Sequence, residues 1–200
     1  MSKRPLILAS ASKSRANMLR AAGVAVEIVP AHADEDAVKA SLQAAGATAA
    51  DCATALAELK AVQVSQRHPE VLVIGADQML ECEGRWFDKP KDQEGARGHL
   101  LAMRGKTHVL PTAVAVALNG AVIWHHVASP RLTMRTFSDA FIAHYLALAG
   151  DAVTTSVGAY QLEGPGAQLF SRIDGDFFTI LGLPLLDLLA FLREHEAVAT

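Results

Sequence analysis

The run Val71-Leu72-Val73-Ile74-Gly75-Ala76 decides the fold class of this chain. It is continuously apolar and rich in β-branched residues, which is typical of a strand buried on both faces of a sheet. The run ends abruptly at Asp77, which Gln78 follows. A carboxylate at the end of a buried strand lies where the sites of α/β proteins usually form, so Asp77 is a candidate for holding a divalent metal or activating a water. The alternative interpretation is a cap or turn residue.

Apolar runs and amphipathic segments alternate on both sides of this strand, which predicts an α/β fold. Helices are expected over residues 13–22, 37–45, 51–66, 92–103, 138–149 and 185–195. Strands are expected over residues 5–9, 24–29, 79–81, 85–88, 107–118, 121–128, 131–136, 169–174 and 177–181, the last two as a pair. Asn119-Gly120 is a strong hairpin signal, so the sheet should be mixed, with some antiparallel pairs.

The composition excludes several classes of protein. The 200 residues are 51% hydrophobic and 20% charged, with a mean hydropathy of +0.23, so the chain is not intrinsically disordered. We expect a single domain over residues 1–200. A net charge of -3 argues against binding to nucleic acid, but a locally basic cleft could still bind a small anion.

The chain shows no pattern of a membrane or secreted protein. The apolar stretch at 5–9, after the basic Met1-Ser2-Lys3-Arg4, is too short for a signal peptide. The run at 180–192 is interrupted by Gly182, Pro184 and Asp187, so we expect no membrane association. The two cysteines favour neither a disulfide framework nor a zinc site, and a cytoplasmic location is expected.

The segment Ser10-Ala11-Ser12-Lys13-Ser14-Arg15 leads from a predicted strand into a predicted helix. Backbone N–H groups at a helix start favour an anion, while the hydroxyls of Ser10, Ser12 and Ser14 add donors. Arg15 adds a planar fork that fits phosphate. The alternative is an ordinary helix cap at Ser12 with a surface arginine.

The remaining candidates are weaker when each is taken alone. Lys60, on a predicted helix, and Lys89, before Pro90, each suggest an exposed lysine. Asp34-Glu35-Asp36 suggests a helix cap, and only weakly a metal site. The glycine-rich stretch from Gly158 to Gly166 suggests either a shaped loop in which Glu163 reads a base or a plain surface turn.

In this order, the segments resemble the Maf family of nucleoside triphosphate pyrophosphatases over almost the whole chain. The motifs are Leu6-Ile7-Leu8-Ala9-Ser10-Ala11-Ser12 with Arg15, Asp34-Glu35, Lys60-Ala61, Gly75-Ala76-Asp77-Gln78, Lys89-Pro90, Arg104-Gly105-Lys106-Thr107-His108 and Gly182-Leu183-Pro184-Leu185. Each motif is short, and only the ordered set is specific.

The resemblance implies a mixed α/β fold with flanking helices, similar to inosine-triphosphate pyrophosphatases, with a cleft between two lobes. It implies a cytoplasmic, homodimeric hydrolase that uses Mg²⁺ or Mn²⁺ to convert nucleoside triphosphates to monophosphate and pyrophosphate, a housecleaning role in the nucleotide pool. Asp77 would be the proton acceptor, and Glu35 would help it hold the metal. The triphosphate ligands would be Ser10, Arg15, Lys60 and Lys89.

The chain departs from the common family pattern at positions that bear on the base. Lys13 and Ser14 replace the usual proline and arginine or tryptophan, which leaves the substrate choice open at Ser14. Gln78 and Glu163 look like the branch that acts on 7-methyl-GTP, whereas the other branch tends to have threonine and glutamine there. Ser156 stands where many members have a lysine.

Two other functions remain open on the same residues. One is a nucleotide-binding regulator of cell division without turnover, which would have no use for an unpaired carboxylate at Asp77 beside the phosphates. The other is a phosphatase that removes only the terminal phosphate.

Overall fold

The computed structural model describes residues 5–199, so the basic Met1–Arg4 segment and Thr200 lie outside the described residues. The chain forms two compact units. The first contains the described residues up to Gln78, Thr112–Ala128 and the residues from Phe177 onward, and the second contains Met79–Pro111 and Ser129–Asp176.

Strands and helices alternate along much of the chain. The strands are β1 (Leu6–Leu8), β2 (Glu27–Ile28), β3 (Leu72–Gln78), β4 (Leu80–Cys82), β5 (Arg85–Phe87), β6 (Thr107–Val109), β7 (Thr112–Leu118), β8 (Ala121–Ala128), β9 (Arg131–Met134) and β10 (Phe170–Asp174). The helices are α1 (Lys13–Ala21), α2 (Glu35–Ala44), α3 (Ala49–Ser65), α4 (Gln93–Met103), α5 (Asp139–Ala149), α6 (Phe177–Ile180) and α7 (Leu185–Glu194).

The sheet of the first unit has the strand order β2-β1-β3-β7-β8. Strand β1 runs parallel to β2 and β3, whereas β7 is antiparallel to both β3 and β8. Strand β3 is therefore central and buried, as its apolar run predicts, and the predicted mixed α/β fold with flanking helices is confirmed. The predicted hairpin is also confirmed, because Asn119 and Gly120 both have the positive φ of a tight turn (52° and 78°).

The sheet of the second unit has the order β10-β9-β6-β4-β5, and all its pairs are antiparallel. Helices α4 and α5 of this unit begin where the sequence predicts. The side chains of Asp92 and Ser138 accept hydrogen bonds from the backbone N–H groups of Gly95 and Phe141. These caps satisfy donors that the first turn of a helix leaves without partners.

Two predicted strands are wrong. Residues 107–118 form two strands of different sheets, because Pro111 has no N–H group to donate to a ladder. Residues 177–181 do not pair with β10. They form the short helix α6, in which the N–H group of Leu181 donates to the carbonyl of Phe177, and β10 pairs with β9 instead. A short apolar run has no periodicity that distinguishes a strand from a helix.

Helix α3 lies unusually close to β3 at Gly75. A Cβ atom at this position would overlap the carbonyl oxygen of Ala57 and lie 2.7 Å from the backbone nitrogen of Ala61. Only glycine fits this contact. Within residues 5–199, no helix has the length and apolar character needed to cross a membrane.

Candidate active site at the end of the central strand

Asp77 lies next to the carboxyl end of β3, opposite Ala113 of the neighbouring strand β7. The residue is only 6% exposed. The strand continues through Gln78 rather than stopping at Asp77 as predicted. Side chains alternate along a strand, so Asp77 points to the same face as Gly75, toward helix α3.

Lys60 of α3 is the direct partner of Asp77. Its Nζ atom lies 2.6 Å from Oδ1 of Asp77 and 2.8 Å from Oε1 of Glu35. The lysine is 8% exposed, so the interpretation of Lys60 as an exposed lysine is wrong. Lys60 lies on the same helix face as Ala57 and Ala61, the two residues that contact Gly75, and this close packing brings its ammonium group to Asp77.

Asp34 and Glu35 of the acidic triplet have different roles. Asp34 is the cap of α2, since its side chain accepts a hydrogen bond of 3.0 Å from the backbone nitrogen of Ala37. Glu35, the first residue of α2, instead pairs with Lys60. Its side chain is 41% exposed, against 9% for the side chain of Asp77, so one carboxylate of the pair contacts solvent and the other does not.

Arg15 of α1 is half-buried beside these charges, which contradicts the alternative of a surface arginine. It donates hydrogen bonds to the carbonyls of Gly182 (2.7 Å) and Ala76 (2.8 Å) and to Oγ of Ser10 (3.1 Å). Burial lowers the pKa of Arg15, and the negative charges of Asp77 and Glu35 act to raise it. An arginine stays charged at neutral pH after such a shift, so Arg15 is a fixed cation of the site.

The three serines of the loop each have a partner within the protein. Ser12 caps α1 as predicted, because its Oγ accepts from the backbone nitrogen of Arg15. Oγ of Ser10 accepts from Arg15 and, at 3.3 Å, from the backbone nitrogen of Ser12. Ser14 donates to the carbonyl of Leu181 at 3.1 Å. The loop is thus held against the segment that follows α6.

Gln78 of β3 contacts the end of α6 itself. Its Nε2 atom donates to Oγ1 of Thr112 (2.9 Å) and to the carbonyls of Thr179 (3.2 Å) and Ile180 (3.1 Å). A backbone carbonyl only accepts hydrogen bonds, so these contacts fix the orientation of the amide. Its oxygen is therefore the atom of Gln78 that can accept a hydrogen bond from a ligand.

Three residues of this site were missed as contacts of the candidate side chains: Thr112, Thr179 and Gly182. Gly182 has a φ of 107°, and a Cβ atom there would lie 3.4 Å from Nε of Arg15. The Gly182-Leu183-Pro184-Leu185 motif pointed to this turn without indicating its partner. Thr112 and Thr179 carry no sequence signal, because their contacts depend on the tertiary fold.

Lys89 and Glu163 belong to the second unit, and both are exposed. The loop around Glu163 is shaped by close packing, as the glycines predict. Gly158 has a φ of 79°, and a Cβ atom there would lie 2.8 Å from the ring of Tyr160. The binding roles of Lys89 and Glu163 stay predictions.

A metal ion would find only part of its ligand set in these side chains. Within residues 5–199, no three His, Cys, Asp or Glu side chains come together as a metal site. Glu35 and Asp77 share one lysine, and Mg²⁺ is commonly held by one or two carboxylates together with phosphates of the substrate. The residues therefore fit a cation that is shared with a polyphosphate, and they do not form a complete protein cage.

Comparison with known proteins establishes the family. The model of the family described as Maf-like protein matches residues 5–195, and the chain belongs to this family. A relative from Granulibacter bethesdensis named nucleoside triphosphate pyrophosphatase is 57% identical over 193 residues, which cover 96% of this chain and 98% of that protein. A relative from Mesorhizobium japonicum named 7-methyl-GTP pyrophosphatase is 51% identical, with coverage of 96% and 97%. The prediction of a Maf-family hydrolase is confirmed.

Among solved structures, a dITP/XTP pyrophosphatase from Mycobacterium abscessus matches with a TM-score of 0.45 and 14% identity over 96% of this chain and 94% of that one. At this level of similarity, no substrate or mechanism is carried over from it.

Proposed function

We propose that the protein hydrolyses the α–β phosphoanhydride of nucleoside triphosphates to give a nucleoside monophosphate and pyrophosphate. The observation that carries this proposal is the cluster at the end of β3, in which Lys60 pairs with both Asp77 and Glu35 beside Arg15. The names of the relatives support the same reaction.

The cationic side chains suit a polyphosphate. A nucleoside triphosphate carries about four negative charges near neutral pH, and phosphoryl transfer is catalysed largely by neutralising the charge that develops on its oxygens. Arg15 and Lys60 supply two cations in the first unit, and we expect exposed Lys89 to supply another. Ser10, Ser12 and Ser14 would donate from the start of α1, where the helix dipole also favours an anion.

Asp77 is the proposed proton acceptor for the attacking water. In the protein without nucleotide, Lys60 contacts one oxygen of this carboxylate, Oδ1, and holds the side chain at the end of β3. General-base catalysis of this kind contributes about 100- to 10,000-fold to a rate. A divalent cation, Mg²⁺ or Mn²⁺, held by Glu35 and Asp77 would neutralise charge on the phosphates.

Gln78 and Glu163 indicate which nucleobase the protein prefers. The nitrogen of the Gln78 amide donates to carbonyls of the protein, which leaves the amide oxygen as its acceptor, and Glu163 is an exposed carboxylate in the second unit. Acceptors suit the N–H groups of a guanine base, and 7-methyl-GTP is the guanine nucleotide that the name of the relative from Mesorhizobium japonicum suggests. A homodimer in the cytoplasm is part of the same proposal.

The direct test is a panel of nucleotides that includes 7-methyl-GTP, dTTP and UTP, with products resolved chromatographically and with Mg²⁺, Mn²⁺ or a chelator present. We expect monophosphate and pyrophosphate, formed only with metal. Release of orthophosphate alone would instead indicate a terminal phosphatase, and preference for dTTP or UTP would contradict the interpretation of Gln78 and Glu163.

The second candidate function is a nucleotide-binding regulator without turnover. The charge on Asp77 does not distinguish this regulator from an enzyme. We expected an unpaired carboxylate that a pure binder would not need, but Asp77 is paired with Lys60. The regulator is favoured only if nucleotide binds tightly and no product of any kind accumulates.

A further inference from the structure

Lys60 occupies the space between the two carboxylates that are the proposed metal ligands. Its ammonium group contacts Oε1 of Glu35 and Oδ1 of Asp77 at 2.8 and 2.6 Å. With Arg15 alongside, two cations balance two carboxylates, so the free protein needs no metal ion for charge neutrality. A divalent cation arriving alone would compete with a lysine that is already in place.

We propose that Lys60 is an internal cation that keeps divalent metal out of the free protein and releases Glu35 and Asp77 to the metal only when a triphosphate draws the ammonium group away. The inference rests on the proposed function, because it takes the triphosphate as the ligand that receives Lys60. Metal and nucleotide then bind cooperatively, each weakly without the other.

Asp77 and Glu35 differ in burial, and this difference couples the departure of Lys60 to the arrival of the metal ion. Asp77 is buried, and a buried carboxylate that loses its partner is costly, so Lys60 leaves it only when another cation replaces it. Glu35 is partly exposed at the other end of the pair, where an incoming ion can reach it first. The lysine is suited to the move because its ammonium group ends a flexible four-carbon chain with three donors.

The test is the binding of Mn²⁺ alone, measured by the loss of the electron paramagnetic resonance signal of the free aqueous ion. Lys60→Met removes the internal cation and leaves Glu35 and Asp77 facing each other. We expect this variant to bind Mn²⁺ at least about tenfold more tightly than the wild type, because Lys60 and Mn²⁺ compete for the same two carboxylates. A change of this size lies within the usual range of coupling free energies. Lys91→Met, which removes an exposed lysine with no proposed binding role, should bind Mn²⁺ as the wild type does.

Equal Mn²⁺ affinity of Lys60→Met and the wild type, whether both are weak or both are tight, would overturn the proposal. A gain in Lys91→Met as large as in Lys60→Met would also overturn it, since the effect would then be one of net charge. Circular dichroism checks that each variant is folded before it is titrated.

If Lys60→Met does not fold, an experiment on the wild-type protein alone tests the proposal. In protein with ¹⁵N-labelled lysine, the Nζ resonance of Lys60 should be unchanged by millimolar Mg²⁺ and should shift when an α,β-methylene nucleotide is added with Mg²⁺. A shift with Mg²⁺ alone overturns the proposal. Pyrophosphate release by wild-type protein is measured separately: its absence would refute the proposed function, whereas its presence together with tight metal binding to the free wild type would refute only the role of Lys60.

Discussion

The two units each bury a cluster of polar side chains, and the two clusters differ in charge. In the first unit, Lys60 and Asp77 form a buried ion pair that Glu35 extends toward solvent. In the second unit, the cluster is neutral: Nε2 of His108 and the hydroxyl of Tyr160 lie 2.7 Å apart, and Tyr145 donates to the carbonyl of Ala159 at 2.9 Å. The charged partners of the first cluster can be exchanged for those of a charged ligand, whereas the neutral contacts of the second cluster hold the loop that contains Tyr160.

The titration of the second cluster agrees with a structural role. Burial lowers the pKa of His108 to about 4 and raises the pKa of Tyr145 to about 12, so both groups are uncharged near neutral pH. Among the described residues, Nδ1 of His108 is buried without a hydrogen-bond partner. Such an atom costs stability, and we therefore expect changes in this cluster to affect folding and changes in the ion-pair cluster to affect activity.

The largest expected effect is that of Asp77→Asn on turnover. The amide cannot accept the proton of the water, so kcat should fall by about 100- to 10,000-fold. Stability should change less, because Lys60 keeps its contact with Glu35. The measurement is pyrophosphate release together with thermal unfolding.

Asp36→Asn is the matched control, since Asp36 is the exposed neighbour of Glu35 on the same helix. Near-normal kcat in Asp77→Asn would remove this carboxylate from the mechanism, and an equal loss in Asp36→Asn would show that the effect is one of general charge.

The next effect is the dependence of stability on pH in the second unit. The pKa of His108 is lower in the folded protein than the ordinary value of 6.5 that applies when the chain is unfolded, so the unfolded state takes up the proton first as the pH falls. The stability from neutral His108 is complete above pH 6.5 and is lost between about 6.5 and 4, by about 3 kcal/mol.

Urea unfolding across this range checks the expectation. The loss should be smaller in His108→Gln, whose side chain does not titrate there. Identical pH profiles for the variant and the wild type would mean that His108 is not the group responsible.

A smaller effect is expected on the free energy of unfolding when Tyr160 or Tyr145 is changed, and the two changes should differ in size. Tyr160→Phe leaves His108 with both ring nitrogens lacking a side-chain partner, so it should cost about 1–3 kcal/mol of unfolding free energy. Tyr145→Phe, the same chemical change, removes a bond to a backbone carbonyl and should cost about 1 kcal/mol. Neither should change kcat; a tenfold loss in either would connect this cluster to the chemistry.

The smallest effect is expected at an exposed ion pair. Arg172 contacts Asp174 at 2.7 Å, nearly the distance between Lys60 and Asp77, but both side chains are more than half exposed to water. Because water and salt screen such a pair, Asp174→Asn should leave both stability and activity within experimental error. A clear loss of stability would show that burial is not what distinguishes the two pairs.

The sequence predicts the central strand well and the environment of its partner poorly. The apolar run of β3 is a local pattern, and so are the caps Ser12, Asp92 and Ser138. The burial of Lys60 follows from the close contact between Gly75 and α3, which no local pattern encodes. A lysine on a helix therefore resembles an exposed one until its tertiary contacts are known.

The same reasoning explains the errors around α6. The segment 177–181 is short and apolar, so its periodicity fits a strand as well as a helix. Its actual position is fixed by Gln78, whose amide donates to the carbonyls of Thr179 and Ile180. The ordered family motifs point to Glu35 and Lys60 as site residues, although the motifs do not show that the two side chains are in contact.

Hydrolysis in water enriched in ¹⁸O tests most directly the claim that this charged cluster activates water for attack on the α-phosphorus. Mass spectrometry of the separated products from the best substrate of the panel identifies the phosphorus atom that was attacked. We predict one ¹⁸O atom in the nucleoside monophosphate and none in the pyrophosphate. Isotope in the pyrophosphate, or in released orthophosphate, would show attack at another phosphorus and would contradict the account.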